Sequence, residues 1–328
     1  MENVTENFLR DQLLDRRQRL ESVVPGSQGH AQLTQLLNEV DSALERMDNG
    51  SYGICDVCHE SVEKERLLAD PLTRYCLDHL TPQGRRALEQ DLALASQMQA
   101  ALLPKKELQC GGWEISYHYA PHGPVSGDYC DVIVQENAAE NFFFALGDAS
   151  GKGIAASMLM AHLHAIFRTL LAAHLPLEKL LEQAGRIFRE STMAPYFATL
   201  VCGRARPSGE IEIANAGHCP PLLLRGGEVT KLDASGLPLG LFWEGDYSAR
   251  SMKLNPGDSL ILYTDGLSES HSHNDEEYGE HRLAQALGRG QFASSGEIIE
   301  TCLKDLANFQ AGAPALDDLT LMAIRRSN

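Results

Sequence analysis

Hydrophobic periodicity changes once along this chain, and the change separates what its two parts can fold into. Up to Leu103 the apolar residues recur at helical spacing. Leu9, Leu13 and Leu20 come first, then Leu33, Leu37, Val40, Leu44 and Met47 in alternating steps of three and four. Leu88, Leu92, Leu94, Ala95, Met98, Ala101 and Leu102 follow as a wider face. From Trp113 onward the period falls to two at Ile115, Tyr117 and Tyr119, and again around 142–146, 196–201, 211–214 and 259–263. The first pattern is that of amphipathic helices, with a coiled-coil-like seam over 33–47, and the second that of strands. Pro25, Gly26 and Gly29 break the first part into two helices that should pack antiparallel. Thr81 and Pro82 open a third helix, which closes before Pro104. Helical stretches at about 155–173, 177–190, 282–287 and 295–309 punctuate the strands, which indicates an α+β layered domain. The expected organisation is residues 1–80 as a small N-terminal module, 81–104 as a linker helix and 105–328 as the large domain.

A chain of 328 residues, 43% of them hydrophobic, is long enough for this division. Its net charge of −17, without clustered Lys and Arg, argues against a nucleic-acid partner. No uninterrupted apolar run reaches bilayer length, and the first ten residues are polar, so we expect no membrane association and a cytoplasmic location.

Three of the eight cysteines carry metal-ligand spacing: Cys55-x2-Cys58, seventeen residues, then Cys76-x2-His79. Each pair sets two ligands on one tight turn, and two such turns complete a tetrahedron around one Zn2+. Four protein ligands leave no open position, so this site is expected to be structural. The other five cysteines are expected to be reduced, small buried residues.

Four aspartates stand at strand ends, three of them beside glycine. Asp128 follows Gly127, Asp148 follows Gly147 at the end of an apolar run, Asp265 precedes Gly266 after "LILYT", and Asp317-Asp318 opens "LTLMAI". Asp is a poor strand residue, and any one of these could be a turn-former capping a backbone N–H. If they converge, their repulsion calls for a cation, and oxygen-only ligands suit Mg2+ or Mn2+. Two such ions can hold a hydroxide and clamp a phosphate for in-line attack.

Three other motifs suggest different chemistry. His218-Cys219-x5-Arg225 has the spacing of cysteine-based phosphatases, but Pro220, Pro221 and three leucines lie where phosphate-cradling N–H groups are needed. The 147–152 segment is too short for a P-loop and lacks the Mg2+-binding hydroxyl. His162 and His164 are two apart on a helix and do not share a face. The Asn215–His218 turn is expected near the aspartates, and Asp131 is expected to play a supporting role.

Two family resemblances join these readings. The stretch from Met47 to Leu80, with its Gly50–Cys55 run, Glu65-Arg66-Leu67, Pro71 and the Cys76 knuckle, resembles the DksA/TraR-type zinc finger, with His79 where that family commonly has cysteine. Members acting on RNA polymerase carry acidic residues at the tip of their helical hairpin, and "VVPGSQGHAQ" has none. The stretch from about Met98 to Ile324 resembles the catalytic domain of SpoIIE/RsbU-type phosphatases, a branch of the metal-dependent (PPM) Ser/Thr phosphatases. It does so through "QMQAALLP", "PVSGDYCDV", "GDASGKGIAASMLMA", "FATL", "ANAGHCPPLLL", "LPLG", "YTDGLSES" and "DDLTLMAIR".

That resemblance implies a β-sandwich of two mainly antiparallel sheets flanked by helices, with two Mn2+ or Mg2+ at one edge. It implies Asp148 as the carboxylate bridging both ions and the Ala149 carbonyl beside it. Asp128 would serve one ion and Asp265 and Asp317 the other, with Asp318 as the alternative to Asp317. It further implies a phosphoserine or phosphothreonine protein substrate, commonly a STAS-type anti-sigma-factor antagonist. The N-terminal module would be the input or homodimerisation element, acting through the linker helix. The rival function is a transcription-machinery interaction protein acting through the zinc hairpin.

Overall fold

The computed structural model describes residues 2–23, 30–80, 82–134, 141–193, 195–241 and 247–327. Its contacts separate two compact units, Met1–Asp91 and Leu92–Asn328, divided within a single helix.

In the first unit, α1 (Glu2–Val23) and α2 (His30–Asp48) run antiparallel, as the Arg10–Asp48 and Arg17–Asp41 ion pairs show. Their joining turn and the Thr81 cap lie outside the described residues. Leu9, Leu13 and Leu20 pack on Val40, Ala43, Leu44 and Met47, the stripes expected from spacing. Cys55, Val62, Leu67 and Cys76 extend the same core, so the cysteine segment has no separate hydrophobic interior. It contains one short helix, α3 (Lys64–Ala69), and precedes α4 (Pro82–Leu102), the helix that contains the division.

The second unit is a four-layer sandwich. In chain order its elements are β1 (Glu107–Cys110), β2 (Trp113–Ala120), β3 (Asp128–Val134), β4 (Phe142–Ala149), α5 (Gly153–Leu170) and α6 (Leu177–Ser191). Then come β5 (Ala198–Ala205), β6 (Glu210–Ala216), β7 (Leu222–Arg225), β8 (Glu228–Lys231), β9 (Arg250–Lys253) and β10 (Ser259–Tyr263). Last are α7 (Asp265–Ser268), α8 (Gly279–Gly288), α9 (Ser295–Gln310) and β11 (Leu319–Arg326). One sheet has the order β1-β2-β11-β10-β7-β8 and the other β3-β4-β5-β6-β9, with antiparallel neighbours throughout both ladders. This is the α+β sandwich the sequence led us to expect.

The unbroken apolar run in β4 follows from its two buried faces. Phe142, Phe144 and Leu146 point between the sheets, toward Trp113, Leu260, Leu262, Met322 and Ile324. Phe143 and Ala145 point outward, under Met160, Leu163 and Phe167 of α5 and Leu180 and Leu181 of α6. Each phenylalanine so buried contributes about 2–3 kcal/mol. On the other side, α8 and α9 cover Ile261, Tyr263, Leu321 and Ala323. One helical stretch, Gly153–Ala173, has the length and apolarity of a membrane span, which corrects the expectation drawn from uninterrupted runs. Its Ala156, Met160, Leu163, Ile166 and Phe167 are buried, the pattern of a core helix on a sheet.

Candidate metal centres

Both candidate centres arise where the chain turns sharply. In the first unit, His59 N–H donates to the Cys55 carbonyl (3.0 Å) and His79 N–H to the Cys76 carbonyl (3.1 Å), closing two knuckles. Cys55, Cys58, Cys76 and His79 thereby bring their donor atoms within 4.8 Å of one another. Cys58 Sγ and Cys76 Sγ are 3.8 Å apart, and Cys76 Sγ is 3.2 Å from His79 Nδ1. Tetrahedral zinc with Zn–S bonds of about 2.3 Å needs sulfurs about 3.8 Å apart, so this donor set fits zinc. Burial raises the Cys55 thiol, but N–H groups of Cys58, Cys76 and Val57 outweigh it and bring it to about 6. Burial and the neighbouring thiols push Cys76 up to about 11, a crowding that a bound cation relieves.

The second centre lies at one end of the sandwich. Asp128 and Asp148 are directly opposed across the β3–β4 ladder. Asp265 is the first residue of the single-turn α7, one residue after β10, and Asp317 lies one residue before β11, the partner of β10. The two sheets are tied here by Asp128, whose Oδ2 accepts from Thr264 Oγ1 (3.1 Å) and Thr320 Oγ1 (2.5 Å). Gly127 and Gly266 allow this closeness. A Cβ on Gly127 would lie 3.3 Å from Asp148 Oδ1 and 3.1 Å from the Ala149 carbonyl oxygen; one on Gly266 would lie 1.9 Å from the Asp318 carbonyl oxygen. The Ala149 carbonyl and the Asp148 carboxylate thus face the same turn.

The adjacent aspartates divide. Asp318 Oδ1 accepts from His122 N–H (2.7 Å) and Oδ2 from Gly127 N–H (2.8 Å), pinning the loop before β3. Asp317 is more open, with Oδ1 accepting from Asp318 N–H (2.9 Å) and Oδ2 paired with Lys152 Nζ (2.7 Å). Three of these carboxyls are raised, by burial first and then by neighbouring aspartate charges. Burial, then the charges of Asp265, Asp317 and Asp318, raise Asp148 to about 7, with Lys152 opposing. Asp265 is raised by burial and by Asp317, and Asp128 is held well above the usual carboxylate range by burial and by Asp148 and Asp318. Carboxylates that force protons onto one another, with oxygen-only donors, are what a hard divalent ion stabilises.

Several participants escaped the sequence reading: Thr264, Thr320, Lys152 and Gln99. Gln99 Nε2 donates to the Ser126 carbonyl (2.6 Å) and its Oε1 accepts from Ser126 N–H (2.9 Å), fixing the loop that carries Asp128. The Asn215–His218 turn lies beside the centre as expected. His218 Nδ1 is 2.8 Å from Thr199 Oγ1, and Thr199 stands opposite Asp148 across β4–β5. Asp131 points away, in a buried bidentate pair with Arg168 (2.9 and 2.7 Å). Burial, then the carboxylates Asp265, Glu280 and Glu269, push Cys219 up to about 12, the opposite of an activated thiolate.

The sequence family described as Stage II sporulation protein E (SpoIIE) matches residues 138–327, and the prokaryotic dksA/traR C4-type zinc finger matches residues 50–78. His79 lies one residue past the second match. Protein IcfG of Synechocystis is 26% identical over 266 residues, covering 72% of this chain but only 42% of that protein. Phosphoserine phosphatase RsbU of Bacillus subtilis is 27% identical over 258 residues, covering 76% of this chain and 74% of its own length. The SiaA-PP2C domain of Pseudomonas aeruginosa superposes with a TM-score of 0.64 at 20% identity, over 74% of this chain and 98% of that domain.

Proposed function

The chain belongs to the Stage II sporulation protein E family, and from that premise we propose that it is a metal-dependent phosphatase acting on phosphoserine or phosphothreonine in a protein partner. The observation that supports this reading is the placement of Asp148 opposite Asp128 across the β3–β4 ladder and within reach of the charges of Asp265 and Asp317, which with burial raise it to about 7. Asp148 would bridge two ions, Mn2+ or Mg2+, with the Ala149 carbonyl beside it; Asp128 would serve one ion and Asp265 and Asp317 the other. Asp318 is tied by two backbone N–H groups of another loop, whereas Asp317 is held by its neighbour's N–H and a solvent-exposed lysine that can move away, which favours Asp317 as the ligand. When bound, the ions supply an activated water and neutralise the phosphoryl oxygens. The protein's own groups position this chemistry. Thr264 and Thr320 fix one oxygen of Asp128, Gln99 and Asp318 hold its loop, and the two sheets keep the carboxylates from separating.

RsbU is named a phosphoserine phosphatase, and by that likeness the substrate is a small phosphorylated partner of the STAS type that antagonises an anti-sigma factor. The zinc module acts as an input or homodimerisation element through α4, and the protein works in the cytoplasm. Hydrolysis of p-nitrophenyl phosphate with Mn2+ tests the chemistry, and unchanged rates in Asp148→Asn and Asp265→Asn would refute it. Incubation with phosphorylated STAS-domain proteins tests the substrate; phosphate retained on all of them sinks that part.

A further inference from the structure

Lys152 has a placement that stability does not explain. It is the N-cap residue of α5, where the positive end of the helix dipole disfavours a cation. It stands between Gly151 and Gly153, whose φ angles of 102° and 67° shape the turn. Its ammonium lies 2.7 Å from Asp317 Oδ2 and 3.4 Å from the Leu316 carbonyl oxygen. The pair is open to solvent, with side-chain exposures of 67% and 42%, so it contributes little to the fold. Yet the same ammonium acts on Asp148 and Asp265, and among the described residues it is the cation that bears on both. A flexible four-carbon stem carrying a point charge, at a helix N-terminus above a carboxylate cluster, is suited to an anion that approaches the cluster from solvent.

We propose that Lys152 is the phosphate-binding cation of this site and that it competes with a divalent ion for Asp317, turning to the phosphoryl group when the ion takes the carboxylate. The inference rests on the phosphatase reading above. It makes Lys152 a catalytic residue with two opposed effects: it weakens metal binding and strengthens substrate binding. A residue with a merely structural role would support both or neither.

The test uses the full chain and the variants Lys152→Gln and Lys152→Arg. Mn2+ affinity is measured by calorimetry, and KM for p-nitrophenyl phosphate and Ki for inorganic phosphate by hydrolysis assays. Lys152→Gln should bind Mn2+ up to about fivefold more tightly, the worth of one exposed ion pair. Its KM and phosphate Ki should rise about tenfold, the loss of one charge-assisted hydrogen bond. Lys152→Arg should keep both constants near those of the parent protein. Mn2+ binding no tighter in Lys152→Gln than in the parent protein overturns the competition, and an unchanged phosphate Ki overturns the phosphate role; either result removes the proposal. A parent protein without Mn2+-dependent hydrolysis counts against the phosphatase reading instead, while the Mn2+ titration still tests the competition.

Discussion

Replacing Asp148 by Asn should stabilise the metal-free protein at alkaline pH while removing its response to Mn2+. In the unfolded chain this carboxyl loses its proton near the ordinary value of 3.8, whereas in the fold it keeps the proton until about 7. Between those values the folded state holds the extra proton, so stability falls as pH rises through the window; below it the group contributes nothing. At ~1.4 kcal/mol per pH unit the full cost is about 4 kcal/mol, and relaxation and solvent reduce it to about 2–4 kcal/mol. The assay is urea unfolding of the chain dialysed free of Mn2+ and Mg2+, at pH 5 and pH 8. Part of the window lies below pH 5, so the parent protein should lose about 1–3 kcal/mol more than Asp148→Asn between the two pH values. Saturating Mn2+ should restore the parent at pH 8 and leave the variant unchanged. Parallel pH profiles for the two proteins would refute the argument that these carboxylates are mutually destabilised.

Three further outcomes are expected. Arg168→Met should lower stability by about 1–3 kcal/mol in urea unfolding, because buried Asp131 loses its bidentate partner and keeps only the Tyr129 hydroxyl and nearby His164; adding Asp131→Asn should recover much of the loss, and no recovery would mean the pair is not the cause. Cys58→Ser should abolish stoichiometric zinc in a colorimetric metal assay, whereas His79→Cys should keep it; full zinc retention in Cys58→Ser would remove the four-ligand assignment. Cys219→Ser should hydrolyse p-nitrophenyl phosphate at close to the parent rate, and a loss of several orders of magnitude would revive a thiolate mechanism.

The sequence carried the large features of this fold because burial on a regular element leaves a period. β4 and β10 read as strands, α6 and α9 as helices, and their structural bounds lie within a few residues of those expected. Four-residue strands such as β1, β7, β8 and β9 are too short to show a period, and α7 is one turn. The span-length apolarity of α5 was masked by His162, His164 and Arg168 interrupting its run. At the site, aspartate beside glycine was visible because both residues are unfavourable in strands. Thr264 and Thr320 were not, because threonine is ordinary there and only the tertiary fold aims two hydroxyls at one carboxylate. Gln99 was equally silent, since a polar residue among apolar ones on a helix normally means solvent; here it is buried against a loop.

The pinning of the loop before β3 by Asp318 has a consequence for how loss-of-function variants are read. Asp317 and Asp318 are chemically identical neighbours, but one faces solvent beside Lys152 and the other clamps two backbone amides 190 or more positions earlier in the chain. On the proposed assignment, silencing either would leave the same inactive enzyme, one through a missing ligand and the other through a displaced Asp128. A turnover assay is blind to that distinction. Ion stoichiometry together with proteolytic protection of residues 121–127 separates them, because only loss of the clamp frees the loop. Identity of side chain here says nothing about identity of address.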